Sequence, residues 1–451
     1  MPASFAFSIR QILHDLRTGM LFRPGLITAA YGALGFAAVT LERRFPPSPG
    51  GLRHAWMAGA DPAATQVVLG TIAGSMMTII SIVYSLLVMA LSLASMQFSP
   101  RILSSFISDR VSQTTLGVFV GTFTYALVVL RAVTPGPDIF VPAVAVSGGI
   151  ALALFALAWL LYFIHHIARG IHVNRIADRI AKETLELLDH EVPEPLPPNE
   201  TPHGKPAPPP AGAAVVPAPG SGYIQLVDID YLSQIALSNK ITIYMRRAVG
   251  EFAVEGNALL YAAPADRVSE AVRAACADAF DIGDVRTMQQ DAEFGVRQIV
   301  DMALKAISPA VNDPSTAATC IDHLGSILCR LARRRCPDSE VRDPATGNLL
   351  LVRRVISFQR ILDLAFNQIR QYGRSDMAVT LRVARALGEV AEATHQRPHL
   401  ARVLHHADLL EAGLSRDFAA ADRVELAARL SALREKCRRG PEADEPVVAS
   451  N

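Results

Sequence analysis

Two groups of polar residues have types and spacings that could handle a solute or a ligand. The first is a run of hydroxyls, Thr71, Ser75, Thr78, Ser81, Ser85, Ser92 and Ser95, recurring at steps of three, four or seven. At about 100° per residue on a helix they share one arc with Gly74, while Ile79, Ile80, Val83, Leu86, Leu87, Ala90 and Leu91 take the opposite arc. Such a face can line a water-filled path. It can equally let helices pack closely and hydrogen-bond across a bilayer. It carries no charge, whereas a selective ion path or proton relay usually contains an ionisable group.

The second group is Asp291, Arg297, Asp301, Asn312 and Asp313. Arg297, Asp301 and Lys305 stand at i, i+4 and i+8 and can pair along one helix face. Ser308-Pro309 stops that helix, and Asn312-Asp313-Pro314 starts the next. Asp313 is placed to be its N-cap, and Pro314 fits the first helical position. A polar pocket at this helix N-terminus would take an anion or a small ligand. A well-capped helix break with solvated ion pairs accounts for the same residues without a ligand.

Other chemistry finds no pattern. There is no nucleophile–His signature, phosphate loop, metal-ligand spacing or dinucleotide fingerprint. No catalytic, cofactor-binding or metal residue is therefore assigned, and an enzyme is not expected. His165 and His166 are adjacent, so on a helix they point about 100° apart and make no chelating pair. The cysteines, Cys276, Cys320, Cys329, Cys336 and Cys437, form no C-x-x-C pair, so zinc is not expected, and in a cytosol they stay free thiols. Lys plus Arg number 43 against 42 Asp plus Glu, a net charge of +1 that gives no reason to expect a nucleic-acid partner.

The elements that must position these residues divide sharply. Of 451 residues, 51% are hydrophobic and 19% charged, below the roughly 25% usual in soluble chains, and mean hydropathy is +0.27. Pro24 to Thr40, Pro62 to Pro100, Val111 to Leu130 and Ile139 to Ala168 contain no Asp, Glu, Lys or Arg. A hydrocarbon core about 30 Å thick needs about 20 helical residues, and in lipid the backbone must satisfy itself within each segment. Four helical spans are expected at about 25–40, 65–97, 114–130 and 141–167. Span two, about 50 Å long as a helix, must tilt or project, with Ser99-Pro100-Arg101 ending or bending it. Gly117-x-x-x-Gly121-x-x-x-Tyr125 in span three reads as close helix packing, and Gly148-Gly149 in span four as a packing site or a weak point.

Residues 1–23 interrupt their apolar spacing with Arg10, Asp15, Arg17 and Arg23. They read as an interfacial amphipathic helix and not as a cleavable signal. Nine basic residues flank one side of the spans (Arg10, Arg17, Arg23, Arg101, Arg110, Arg169, Arg175, Arg179 and Lys182) and four the other (Arg43, Arg44, Arg53 and Arg131). This bias puts both termini in the cytoplasm.

The domain boundaries expected from composition are a transmembrane domain over 1–190, in which span four runs on as a cytosolic helix over His165 to Asp189, and a Pro/Ala-rich linker over 191–221. A small β subdomain over 222–265, a helical cytosolic domain over 266–439 and a disordered tail over 440–451 follow. The strand region carries Ile241, Ile243 and Met245 in strict alternation, then a short apolar run between Gly250 and Gly256. Those paired glycines are similar to barrel-sandwich domains of the biotinyl-lipoyl shape, but no lysine stands in the expected hairpin, so cofactor attachment is not expected. Helical segments are expected near 266–280, 291–307, 314–335, 350–372, 375–394, 400–414 and 420–436.

Two longer stretches carry a further resemblance. One runs from Ser92-Leu-Ala-Ser-Met-Gln-Phe-Ser-Pro-Arg101 through Gly117-Val-Phe-Val-Gly121-Thr-Phe. The other is Gln290-Asp-Ala-Glu-Phe-Gly295-Val-Arg-Gln-Ile-Val-Asp301, followed by Ala306-Ile-Ser-Pro-Ala-Val-Asn-Asp-Pro314-Ser-Thr-Ala. Together they resemble the bacterial predicted membrane proteins of domain-of-unknown-function family 2254, from about Asp15 to Gly413. Ser315 departs from the bulkier residue expected there. The resemblance implies an integral inner-membrane protein and transfers no activity. The fold expected is an α-helical polytopic membrane domain of four spans, followed by a soluble α+β cytosolic domain, mostly helical with a small β segment. Expected partners are the bilayer, further copies of the chain, and a small ligand or protein. An oligomeric channel or transport protein gated by the cytosolic half is one functional reading. A membrane-anchored sensor or scaffold is the other.

Overall fold

The computed structural model describes residues 22–45, 61–97, 109–134, 140–170, 173–192, 208–414 and 418–439. The expected interfacial helix before residue 22, residues 193–207 of the Pro-rich linker, Pro100-Arg101 and the expected disordered tail lie outside the described residues. The chain divides into two compact units, residues 1–172 and 173–451.

In the first unit four helices are long and apolar enough to cross a bilayer: α1 (Phe22–Arg44), α2 (Pro62–Gln97), α3 (Arg110–Ala132) and α4 (Ala143–Gly170). Helix α3 is the axis. Of its most apolar window 56% is buried, against 17% for each of the others. Glycine makes this possible. A Cβ on Gly117 would stand 2.9 Å from Ile27 Cδ1 and 3.1 Å from Pro24 Cα, and one on Gly121 would stand 2.9 Å from Tyr31 Cγ, so α1 lies directly on the glycine face of α3. The Tyr125 hydroxyl crosses to α4, donating to Ala145 O at 2.9 Å, where a Cβ on Gly148 would meet it at 2.6 Å. The paired glycines of span four are thus a packing site. Trp159 Nε1 donates to Thr115 Oγ1 at 2.9 Å. Large apolar side chains such as Leu26, Phe36, Leu154 and Leu161 point outward, as lipid solvation requires.

The second unit begins with α5 (Val173–Glu191). The expected continuation of span four is a separate helix, and the boundary falls at 172/173 instead of 190. The reason is packing: the inner face of α5 (Ile176, Ile180, Thr184 and Leu188) is buried against helices that come much later in the chain. Strands β1 (Ala214–Pro217), β2 (Gly222–Val227), β3 (Thr242–Met245), β4 (Phe252–Ala253), β5 (Ala258–Ala263), β6 (Phe280–Gly283), β7 (Glu340–Arg342) and β8 (Leu349–Val352) form two sheets. One has the order β1-β5-β3-β8-β7 and the other β4-β2-β6.

Strand β1 lies inside the expected linker, because Ala214 and Val216 bury one face against β5. All pairings are antiparallel except β3 with β8, where Ile243 opposes Leu351. That long-range parallel pairing extends the sheet beyond residue 265 and departs from a barrel-sandwich. It also claims Leu349–Val352, where a helix was expected to start. Between β2 and β3 runs α6 (Ile229–Asn239), a helix that the strand reading of this region missed. Asp228 caps it through Tyr231 N at 2.9 Å, and Lys240 ends it in the left-handed region.

The remaining helices are α7 (Glu270–Ala277), α8 (Ala292–Ala306), α9 (Pro314–Ala332), α10 (Phe358–Tyr372), α11 (Met377–Glu392), α12 (Arg397–Ala412) and α13 (Ala420–Arg439). Helix α5 lies on α8 and α9. Gly295 permits the first contact, since any Cβ there would overlap Thr184 Oγ1. Arg330 of α9 and Arg334, just past its end, both hold Asp189 of α5, at 2.6 and 2.7 Å. Gly295→Ala is expected to destabilise the second unit by about 1–3 kcal/mol, the usual cost of overpacking. Thr184→Ala in the same chain should recover part of that loss. Thermal unfolding of the purified protein reads both, and a Gly295→Ala variant melting with the parent would contradict this packing.

Candidate functional site

The hydroxyl arc of α2 faces away from its own bundle. Leu69, Ala73, Met76 and Val83 are buried, the last two in a cluster with Val118, Phe119, Ala156 and Phe163. Ile79, Ile80 and Leu87 pack on the same cluster. Thr71, Ser75, Thr78, Ser81, Ser85 and Ser92 are all exposed, and Gly70 and Gly74 would have open space around a Cβ. Ser95 is among the residues whose side chains are not described. Five hydroxyls donate to the carbonyl four residues back: Thr71 to Val67 (2.7 Å), Thr78 to Gly74 (3.2 Å), Ser81 to Met77 (3.1 Å), Ser85 to Ser81 (2.9 Å) and Ser92 to Val88 (2.9 Å). Their protons are satisfied locally and their lone pairs face outward. Among the described residues of a single chain, these five hydroxyls bond to the backbone of their own helix.

At the end of α4, His166 Nε2 lies 3.3 Å from Asp109 Oδ2, and Asp109 also caps α3 through Ser112 N at 2.9 Å. His165 is exposed. The two histidines therefore act separately.

In the second unit a cleft of about 510 Å³ opens beside the Gln290–Glu293 segment. Its walls come from the end of α5 (Leu187, Glu191), the end of β2 (Leu226, Val227), the turn after β3 (Val249, Glu251) and the segment after β8 (Arg353 to Ile356). Gln290 fixes one edge: its side chain accepts from Val227 N at 3.0 Å and donates to Val227 O at 3.3 Å. Asp291 is buried, caps α8 through Phe294 N at 2.9 Å and takes Arg286 at 2.7 and 2.9 Å. Burial still holds its carboxyl above the ordinary value, against the pull of Arg286. Arg286 in turn stacks 5.1 Å from the Phe294 ring. Gly250, at φ +81°, passes so close that a Cβ would collide with Asp291 and Arg286.

The other charges in the cleft fall into pairs and one exception. Arg354 holds Glu251, and Arg360 holds Glu293 at 2.6 Å. Glu191 and Arg353 remain. Among the described residues neither side chain makes a hydrogen bond or ion pair, and Arg353 Nε is buried without a partner. Burial lowers the pKa of the Arg353 guanidinium, opposed by the charges of Glu191 and Asp230. Burial foremost, then the Asp291 charge, pushes Glu191 up to about 7, with Arg353 opposing and Glu293 adding. Groups displaced in this way inside a cleft mark functional sites.

The five residues expected to form a polar site are not brought together. Asp291 alone reaches the cleft. Arg297 donates to Gln368 of α10 at 2.6 Å, and Asp301 lies a turn further along α8. Asn312 and Asp313 sit at the opposite end of α8, about 22 Å away along its axis. There Asn312 adopts φ +48°. Asp313 caps α9 through Thr316 N (3.1 Å) and Thr316 Oγ1 (2.6 Å), which hold its carboxyl below the usual range, with Pro314 in the first turn. Those bonds account for the turn as a helix reversal. The residues that sequence reasoning missed, Glu191 and Arg353, lie in no motif. The only sequence pointer to their cleft is the Gln290–Gly295 run itself.

The cysteines are free, and burial raises Cys276 to about 11 and Cys320 to about 12, so neither is a thiolate near neutral pH. Among the described residues no three His, Cys, Asp or Glu side chains are grouped to hold a metal ion.

A titration follows from the cleft. The folded chain holds the Glu191 proton up to about 7, against an ordinary value of 4.5. The stability tied to that proton is complete below 4.5 and is lost as pH rises through 7, a span of at most about 3 kcal/mol. Glu191→Gln should therefore gain on the parent between pH 4.5 and 7 and hold a constant advantage above. Thermal unfolding of both proteins across pH measures this, and a difference independent of pH would contradict it.

A family model described as predicted membrane protein (DUF2254) matches residues 17–389. An uncharacterized protein of Mycobacterium bovis and one of Mycobacterium tuberculosis are each 36% identical over 367 residues, covering 80% of this chain and 70% of the relative. No solved structure matches the chain.

Proposed function

The chain belongs to the family of predicted membrane proteins DUF2254, and we propose that within it the chain is an oligomeric channel or transport protein of the bacterial inner membrane. Copies meet along α2, whose hydroxyl arc lines the path, and the second unit gates it from the cytoplasm. The observation carrying this reading is the outward turn of the arc. Leu69, Ala73, Met76 and Val83 of α2 are spent on its own bundle, so the hydroxyls are left, among exposed apolar residues such as Val67, Ile82 and Met89, where a lone chain meets lipid. A neighbouring copy gives those hydroxyls a use, and Gly70 and Gly74 leave room for close approach. Backbone-satisfied hydroxyls without charge suit a neutral or weakly selective lining. The basic residues flanking the spans support both termini lying in the cytoplasm.

The cleft favours a second reading, a membrane-anchored sensor in which the spans tether a ligand-binding unit. Both readings share the cleft and differ in α2. In a cysteine-free background, cysteines at Ser75, Thr78, Ser81 and Ser85 in membranes should react with a water-borne thiol reagent at least about tenfold faster than cysteines at Ile79 and Val83. Equal, slow labelling of both sets would leave α2 a tether in lipid and overturn the channel. A reporter fused after Gly220 should be active only in the cytoplasm, and activity in the periplasm would reverse the topology.

A further inference from the structure

The cleft of the second unit offers two charges and no partner for either. Arg353 follows β8 and Glu191 ends α5, and both line the same cavity without meeting in an ion pair. The neighbouring carboxylates Glu251, Asp291 and Glu293 are already engaged by Arg354, Arg286 and Arg360. Asp230 influences Arg353 by charge alone. Both residues are half-buried, and the Arg353 Nε is buried with no hydrogen-bond partner, a condition that is costly in a folded chain unless something completes it. A single small molecule with a negative and a positive end would complete both. The rest of the cavity specifies its body, because Leu187, Leu226, Met245, Val249 and Ile356 give it apolar walls. Its volume of about 510 Å³ lies within the range of small-molecule pockets.

We infer that this cleft binds a small amino-carboxylate with an apolar side chain, its carboxylate held by the Arg353 guanidinium and its ammonium by the Glu191 carboxylate. Arginine suits the first task, since its planar fork meets a carboxylate with two parallel hydrogen bonds. The Gln290–Glu293 segment supplies the fixed edge: Asp291 is immobilised by its cap and by Arg286, and Gln290 by both backbone atoms of Val227. The shared chemistry belongs both to a free apolar amino acid and to a short apolar peptide. The inference does not depend on the path along α2, because binding is read without transport.

The test uses the full chain in detergent or nanodiscs, titrated calorimetrically with L-leucine and with leucyl-leucine. The controls are 4-methylpentanoate, which lacks the ammonium, and 3-methylbutylamine, which lacks the carboxylate. One of the two zwitterions should bind at least about tenfold more tightly than both controls, the equivalent of one charge-assisted contact. Tighter leucine assigns the free amino acid, and tighter leucyl-leucine assigns the peptide. Glu191→Gln and Arg353→Gln should each lose about tenfold or more, and Arg353→Lys should fall between. If either glutamine variant fails to fold, Met245→Trp, which fills the apolar wall, should abolish binding. The inference is overturned if neither zwitterion exceeds 4-methylpentanoate, or if folded variants at these positions bind as the parent does. Thiol labelling at Ser81 keeps its own answer in every case.

Discussion

Close packing on α3 organises the first unit, where each of the other three helices lays a face against it. Glycines 117 and 121 bring α1 onto α3 at backbone distance, and Tyr125 reaches across to α4. Helix α2 must then turn Leu69, Ala73, Met76 and Val83 inward. The opposite arc has nowhere to go but out. Helical geometry thus converts a packing requirement on one side into an outward arc that carries the hydroxyls on the other. The placement of every hydroxyl from Thr71 to Ser92 follows from it. Lipid gains nothing from such an arc, and a second chain or a column of water does.

The second unit is organised around a single run of sequence. Gln290 anchors to β2, Asp291 caps α8, Phe294 stacks on Arg286, and Gly295 lets α5 lie flat on α8. Four structural duties thus fall within the six residues from Gln290 to Gly295. They also bring the end of α5 beside the strand ends, and that juxtaposition makes the cleft. Because α5 starts three residues after α4 ends, the helix carrying Glu191 is the first element of the second unit after the spans. Its Asp189 is clamped by Arg330 of α9 and by Arg334 just past that helix.

Much of this was legible in the sequence. Uncharged stretches gave the four spans, 3.6-residue periodicity gave the hydroxyl arc and most later helices, and Asp313-Pro314 gave a helix start that its hydrogen bonds reproduce. What escaped was whatever depends on distant partners. Leu349–Val352 is an apolar run that a helix or a buried strand would use equally well, and only its pairing with β3 decides. Helix α6 has a capping Asp228 and an inner face of Leu232, Ile235 and Ala236, but at eleven residues it was hidden among strand-forming neighbours. Glu191 and Arg353 meet in one cleft from opposite ends of the unit, and no local pattern records that. The polar site expected along α8 failed for the reverse reason: residues close in sequence were separated by the length of the helix that joins them.

We propose that the hydroxyl face of α2 is turned toward other copies of the chain. Pulsed dipolar spectroscopy on singly spin-labelled protein in lipid nanodiscs measures this directly, with the label placed either at Ser81 or at Leu154, an exposed residue of α4. Dipolar coupling between copies is expected at both positions, with the shorter separation at 81. Absence of coupling at 81, or a separation there longer than at 154, would contradict it.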